Sequence, residues 1–182
     1  MKQLKLLLAS LLLIISIALS TGCTQQSSQI SQPQTNQPQD SAAQAQSDWL
    51  ETRECFECDL SQQDFSGQDL TGVRLNGSNL RGANLQGVNL STALLDGVDL
   101  SDANLKAANF TTAALTNADL TNANLESANF TDAFLRGAKF TNAQLKNTKF
   151  VNADLNAANL EGIDLSGADF KGAIMPDGSV QE

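Results

Sequence analysis

Leu or Phe recurs at every fifth position from Leu60 through Phe170, 23 times without a gap. Two residues before each lies a small residue, most often Ala (Ala83, Ala103, Ala108, Ala113, Ala118, Ala123), and between the two sits mostly Asn or Asp. Ten of the twelve glycines fall two residues after the Leu or Phe. A period of five suits neither common regular structure. On an α-helix five residues advance about 500°, so the apolar column would precess by about 140° per step and surround the helix. On a flat strand an odd period throws successive apolar side chains to opposite faces. The pattern predicts a chain that bends once per repeat, so that every Leu turns inward. Gly after the Leu suits the positive φ of a tight turn, and Asn or Asp before it can bond nearby backbone at the bend.

Segments such as Ala83-Asn84-Leu85-Gln86-Gly87 and Ala123-Asn124-Leu125-Glu126-Ser127 resemble the pentapeptide repeat family. The resemblance runs over residues 58–172. It implies an all-β fold, a right-handed quadrilateral β-helix (a solenoid) with one repeat per side and Leu and Ala filling the interior. About six coils spaced by ~4.8 Å make a rod roughly 28 Å long. In that frame Phe110, Phe130, Phe150 and Phe170, spaced by 20, stack in one internal column that Leu70 and Leu90 continue. Lys106, Glu126 and Lys146 share one outward slot with alternating charge.

The front of the chain reads differently. Lys2 and Lys5 precede an apolar run from Leu6 to Leu19, 14 residues interrupted only by Ser10 and Ser16. A helix of that length reaches about 21 Å, short of a hydrocarbon core of about 30 Å, so residues 1–22 read as a signal peptide rather than a membrane span. Leu19-Ser20-Thr21-Gly22-Cys23 resembles a bacterial lipoprotein signal, which implies a lipid on Cys23. Ser20 stands where that pattern usually has Leu, and ordinary cleavage after Ser20 is the alternative. Residues 23–46 are expected to be a disordered Gln-rich linker, with nine Gln among residues 24–46. Residues 47–57 are assigned to an N-terminal helical cap, with Asp48 as N-cap, Glu51 closing a capping box, and Trp49 and Leu50 covering the first coil. The solenoid is assigned to residues 58–175 and a C-terminal tail to 176–182, where Pro176 cannot extend a ladder.

Composition removes several chemistries. The chain has no His, so an imidazole base and His-built metal sites are excluded. A net charge of −9, becoming −11 once Lys2 and Lys5 are removed with the signal, argues against nucleic-acid binding. Within the repeats the balance is milder, thirteen acids against eight bases, and export separates the chain from cytoplasmic topoisomerases. A DNA-mimicking topoisomerase modulator, a role some members of the family play, is therefore a remote reading. Asp59, Asp64 and Asp69 are five apart and fall on successive faces, not in one cleft. No catalytic, cofactor-binding or metal-ligating residue is assigned, and the chain is read as not an enzyme.

Two features remain. Cys55 and Cys58 form a C-x-x-C pair, read either as a redox dithiol or as a structural disulfide. Many members of the family carry such a pair before the first coil, and an exported protein can oxidise it. The position before the central Leu or Phe is nearly always polar, but Leu94, Ala114 and Phe134 break the rule at a spacing of 20. They are expected to align as an apolar stripe on one face, a contact site for a protein partner, a second copy (a homo-oligomer) or the membrane surface. The sequence thus reads as an exported, lipid-anchored binding scaffold facing a periplasm or lumen, or else secreted. The alternative is a redox or stress-related factor acting through Cys55 and Cys58.

Overall fold

In the computed structural model, residues 49–182 are described; the readings made for residues 1–48, including the N-cap at Asp48 and the lipid site at Cys23, lie outside them. The chain climbs by parallel bridges that each join a residue to the one 20 positions later, from Glu54↔Arg74 to Asp154↔Ile174. A bridge falls every five residues, so each coil has four sides. The outward columns of these sides start at Glu54, Asp59, Asp64 and Asp69.

One repeat shows how the backbone is satisfied. Asp99 N–H donates to Ser78 O at 3.0 Å and Leu100 N–H to Asp119 O at 2.8 Å, tying the coil to its neighbours below and above. Asp102 N–H donates upward to Thr121 O at 2.9 Å, and Ala103 N–H closes the turn on Leu100 O at 3.2 Å. The fifth donor, Ser101 N–H, is taken by the Asp99 carboxylate at 2.9 Å. In the repeats that carry it, the Asn or Asp is thus the acceptor that completes the accounting of main-chain donors. The corner residue two after the Leu has positive φ from Glu57 through Gly162, whether or not it is Gly. Ala107 and Ala157 hold it at 57°, a conformation that costs an L-residue about 1–2 kcal/mol.

Inside, the central residues are buried almost throughout. Phe110 and Phe130 stack at 4.6 Å between centroids, Phe130 and Phe150 at 5.2 Å, and Phe150 and Phe170 at 5.0 Å, all within 7° of parallel. Phe140, from the opposite side, meets Phe150 edge-on at 5.7 Å. Where Ser78 and Thr148 replace Ala at the small inward slot, their hydroxyls donate to Cys55 O (2.7 Å) and Leu125 O (2.8 Å).

At the front of the described residues, 49–52 are helical, and the helix ends at Arg53 with φ 57°. Trp49, 4% exposed, sits edge-on to Phe65 at 5.8 Å. Leu50 does not help to cover the first coil, contrary to expectation, and is 44% exposed. Neighbours on a helix point about 100° apart, so with Trp49 turned to the coil Leu50 is turned away from it. At the back the chain reverses. Ile174 pairs in parallel with Asp154 and antiparallel with Val180. Pro176 donates nothing, yet its carbonyl accepts from Ala157 N–H at 3.0 Å. This fold-back covers part of an edge that would otherwise offer free backbone groups.

The ladder opens in one place. No bridge joins Gln144 to Asp164, although Lys139↔Asn159 and Lys149↔Asp169 form on either side. Asn147 N–H reaches Gly167 O, one residue beyond the regular acceptor, and Gly167 lacks the positive φ of its counterparts. Ile163 occupies the small slot here, above Ala83, Ala103, Ala123 and Ala143. It is only partly buried, and we attribute the opening to a side chain too large for its column.

Candidate interaction face

The side that starts at Glu54 carries the outward column Glu54, Arg74, Leu94, Ala114, Phe134, Asp154 and Ile174, each bridged to the next. Leu94, Ala114 and Phe134 therefore stand in register on consecutive coils. Leu94 is 37% and Phe134 52% exposed, and Ala114 between them is partly covered. Apolar side chains here have a cost in backbone bonding. They cannot accept from the residue two positions on, so Asp96 N–H and Arg136 N–H have no protein acceptor among the described residues. Charges bracket the stripe. Arg74 is paired with Glu54 at 2.9 Å and lies 5.1 Å from the Phe56 ring, while Asp154 has Arg136 at 4.0 Å.

The other sides carry side-chain ladders, interrupted on the side that starts at Asp59, where Asp99 stacks between Asn79 and Asp119 with no side-chain bond to either. On one, Asn84 Nδ2 donates to Asp64 Oδ1 (3.1 Å), Asn104 to Asn84 (3.0 Å) and Asn124 to Asn104 (3.5 Å). Asn84 and Asn104 each donate downward and accept from above. Asp59, Asp64 and Asp69 stand on the first coil, where nothing below needs a donor, and they receive Asn79, Asn84 and Asn89. Hydrogen bonds from Ser61, Ser66 and Thr71 hold these three carboxyls below the usual range. They lie on three different sides and terminate ladders. The sequence showed that they diverge but not this role, whose only signal was Asp in the first coil where Asn follows. In the charged column Lys106 Nζ meets Glu126 Oε2 at 2.9 Å, and that bond chiefly lowers the Glu126 pKa, with Lys146 adding a weaker pull from above.

Cys55 and Cys58 are joined by a disulfide, with Cα atoms 5.6 Å apart. Cys55 is buried at the foot of the Leu75 column, and Cys58 is partly buried. Ser78 spans the pair, donating to Cys55 O and accepting from Cys58 N–H at 3.1 Å. A cleft of about 420 Å³ marks the open stretch of ladder, and its ionisable lining groups are Lys146 and Asp164. Among the described residues no three Cys, Asp or Glu converge as metal ligands would, and no helix is long and apolar enough to cross a membrane.

Residues 54–91, 83–122, 93–132, 118–156 and 148–177 match the profile of the family described as Pentapeptide repeats, in 8 copies. Among solved structures, a pentapeptide repeat protein from the cyanobacterium Cyanothece 51142 is 24% identical over 78% of this chain and 99% of its own, with a TM-score of 0.53. One from the Arabidopsis thaliana thylakoid lumen is 33% identical over 60% of this chain and 70% of its own, at a TM-score of 0.44. A third, from Nostoc, is 31% identical over 59% and 84%, at 0.39. No curated protein matches.

Proposed function

The chain belongs to the pentapeptide repeat family, and we propose that this member is an exported, lipid-anchored scaffold without catalytic activity that binds protein through the Leu94–Ala114–Phe134 face. Membership implies a right-handed quadrilateral β-helix, a fold whose family role is that of a scaffold. The observation that carries the binding role is the contrast between sides. Side-chain ladders engage most of the outward Asn of the others, whereas this one leaves Leu and Phe aligned and exposed on consecutive coils. Such a patch stabilises a complex by removing apolar area from water. The Trp49 turn is read as the front cap, and the Cys55–Cys58 link as a fastener that fixes the cap to the first coil.

Export and anchoring rest on Lys2, Lys5, the Leu6–Leu19 run and Gly22-Cys23. Mass spectrometry of the mature protein is expected to find residue 23 as an acylated N-terminus, and Cys23→Ser to release the protein from the membrane fraction. An unmodified N-terminus at Thr21 would replace the anchor with simple secretion. For the face, Leu94→Asp/Phe134→Asp is expected to keep the fold and lose association. A double variant that associates like the natural chain would remove the face from the proposal.

A further inference from the structure

We propose that the occupant of this face is a second copy of the chain, laid antiparallel across it with a two-fold axis beside Ala114. The inference rests on the reading of that face as the contact surface and names its partner.

A two-fold axis lying in the contact plane and perpendicular to the rod sets each outward column against its own reverse. The central column reads Arg74, Leu94, Ala114, Phe134, Asp154, with the outer members two coils from Ala114 and the inner ones a single coil away. Reversed about Ala114, it places Arg74 opposite Asp154 and Leu94 opposite Phe134, each pair occurring twice. The adjoining outward column reads Asn76, Asp96, Thr116, Arg136, Asn156. Reversed about Thr116, it places Asp96 opposite Arg136, again twice. Over these five coils both columns are thus complementary to themselves in the antiparallel orientation; at the ends of the central column Glu54 falls opposite Ile174, outside the matched stretch. A parallel pairing would stack Arg74 on Arg74 and Asp154 on Asp154, and like charges facing each other oppose it.

Size fits the same picture. Ala114 at the axis leaves room for Leu94 and Phe134 of the facing copies to interlock. Corner residues Gly97 and Gly137 keep the rim of that side low. The strip is ~24 Å long and one repeat wide, small beside the roughly 800 Å² per partner of a standard interface. The dimer is accordingly weak and dependent on concentration. A tether on a common membrane would raise its effective concentration.

The test uses the full chain, exported and then solubilised in mild detergent, with single cysteines and a short bismaleimide. Ala114→Cys is expected to give a covalent homodimer that the natural chain does not. Asp154→Cys is expected to give none, because its copies lie about 19 Å apart along the rods in the antiparallel pair. Arg74→Asp should cut the Ala114→Cys product at least tenfold, and Arg74→Asp/Asp154→Arg should restore it. Circular dichroism of each variant checks that the fold is intact, and the restored swap separates lost pairing from lost folding. Equal cross-linking at 114 and 154 would overturn the antiparallel pairing. No product at 114, with Leu94→Asp/Phe134→Asp still abolishing capture of another protein, would overturn the second copy and keep the face as a contact surface. No product and no effect of the double variant would overturn both readings.

Discussion

The Ser78 hydroxyl donates to the Cys55 carbonyl at 2.7 Å from a fully buried position, one coil above the disulfide. The same oxygen accepts from Cys58 N–H, so one side chain holds both ends of the C-x-x-C segment to the solenoid.

Ser78→Ala leaves a buried carbonyl and an amide without their partner. The expected loss is about 1–3 kcal/mol, read as a lower urea midpoint at unchanged slope. Reduction of Cys55–Cys58 is expected to matter less. A loop this short constrains little of the unfolded chain, placing the link at the low end of the usual range, up to about 2 kcal/mol. Unreduced, folded protein should show neither thiol available to alkylation; reaction of both would remove the fastener reading.

Asp59, Asp64 and Asp69 are held below their ordinary pKa by Ser61, Ser66 and Thr71. A folded-state pKa below the unfolded one contributes stability that is complete above the carboxylate range and lost as pH falls through it toward the depressed values. Denaturant midpoints should be flat from pH 7 to about 5 and decline below about 4. Asn at all three positions should flatten that decline, and an unchanged acid limb would contradict the role given to these carboxyls.

Phe130 is sandwiched between Phe110 and Phe150. Phe130→Ala is expected to cost about 3–5 kcal/mol, as a cavity in the middle of the stack cannot collapse without breaking the coil spacing. Phe130→Leu should cost much less, because Leu70 and Leu90 already fill the same column. Thermal unfolding compares the two.

Ala107 pays the left-handed penalty at an exposed corner. Ala107→Gly removes about 1–2 kcal/mol of strain and gives back about 0.5–1 in chain entropy. The expected outcome is a small gain in stability, up to about 1.5 kcal/mol, read from the denaturant midpoint.

Ile163→Ala should let the last coil close. Hydrogen exchange at the Leu145 amide, which lacks the acceptor its counterparts have, is expected to slow toward that of Leu125. Unchanged exchange would mean that the opening has another cause.

Most of the solenoid was legible because its signal is a strict period. The Leu and Phe positions face inward, the stacked rings follow from a spacing of 20, and Leu94, Ala114 and Phe134 align as their numbers require. What the sequence concealed lies where the period carries on while the geometry departs. Leu160, Leu165 and Phe170 keep perfect time through a stretch whose ladder is open, and only the extra bulk of Ile163 hints at it. Leu50 looked like a lid because the pattern registers apolarity and not direction. The fold-back at Ile174–Val180 depends on a turn beyond the last repeat, where the five-residue rule says nothing.

Inward packing repeats every five residues, but what faces outward repeats every 20. These two rulers make the molecule editable in unequal ways. Gain or loss of a single repeat would leave every Leu inside, yet swing all that follows round by a quarter turn, scattering the ring stack and the Leu94–Phe134 alignment. Gain or loss of four would slide one end along the axis by ~4.8 Å and leave each side facing as before. A lineage can therefore adjust the reach of such a rod in whole coils while the chemistry of each side stays in line.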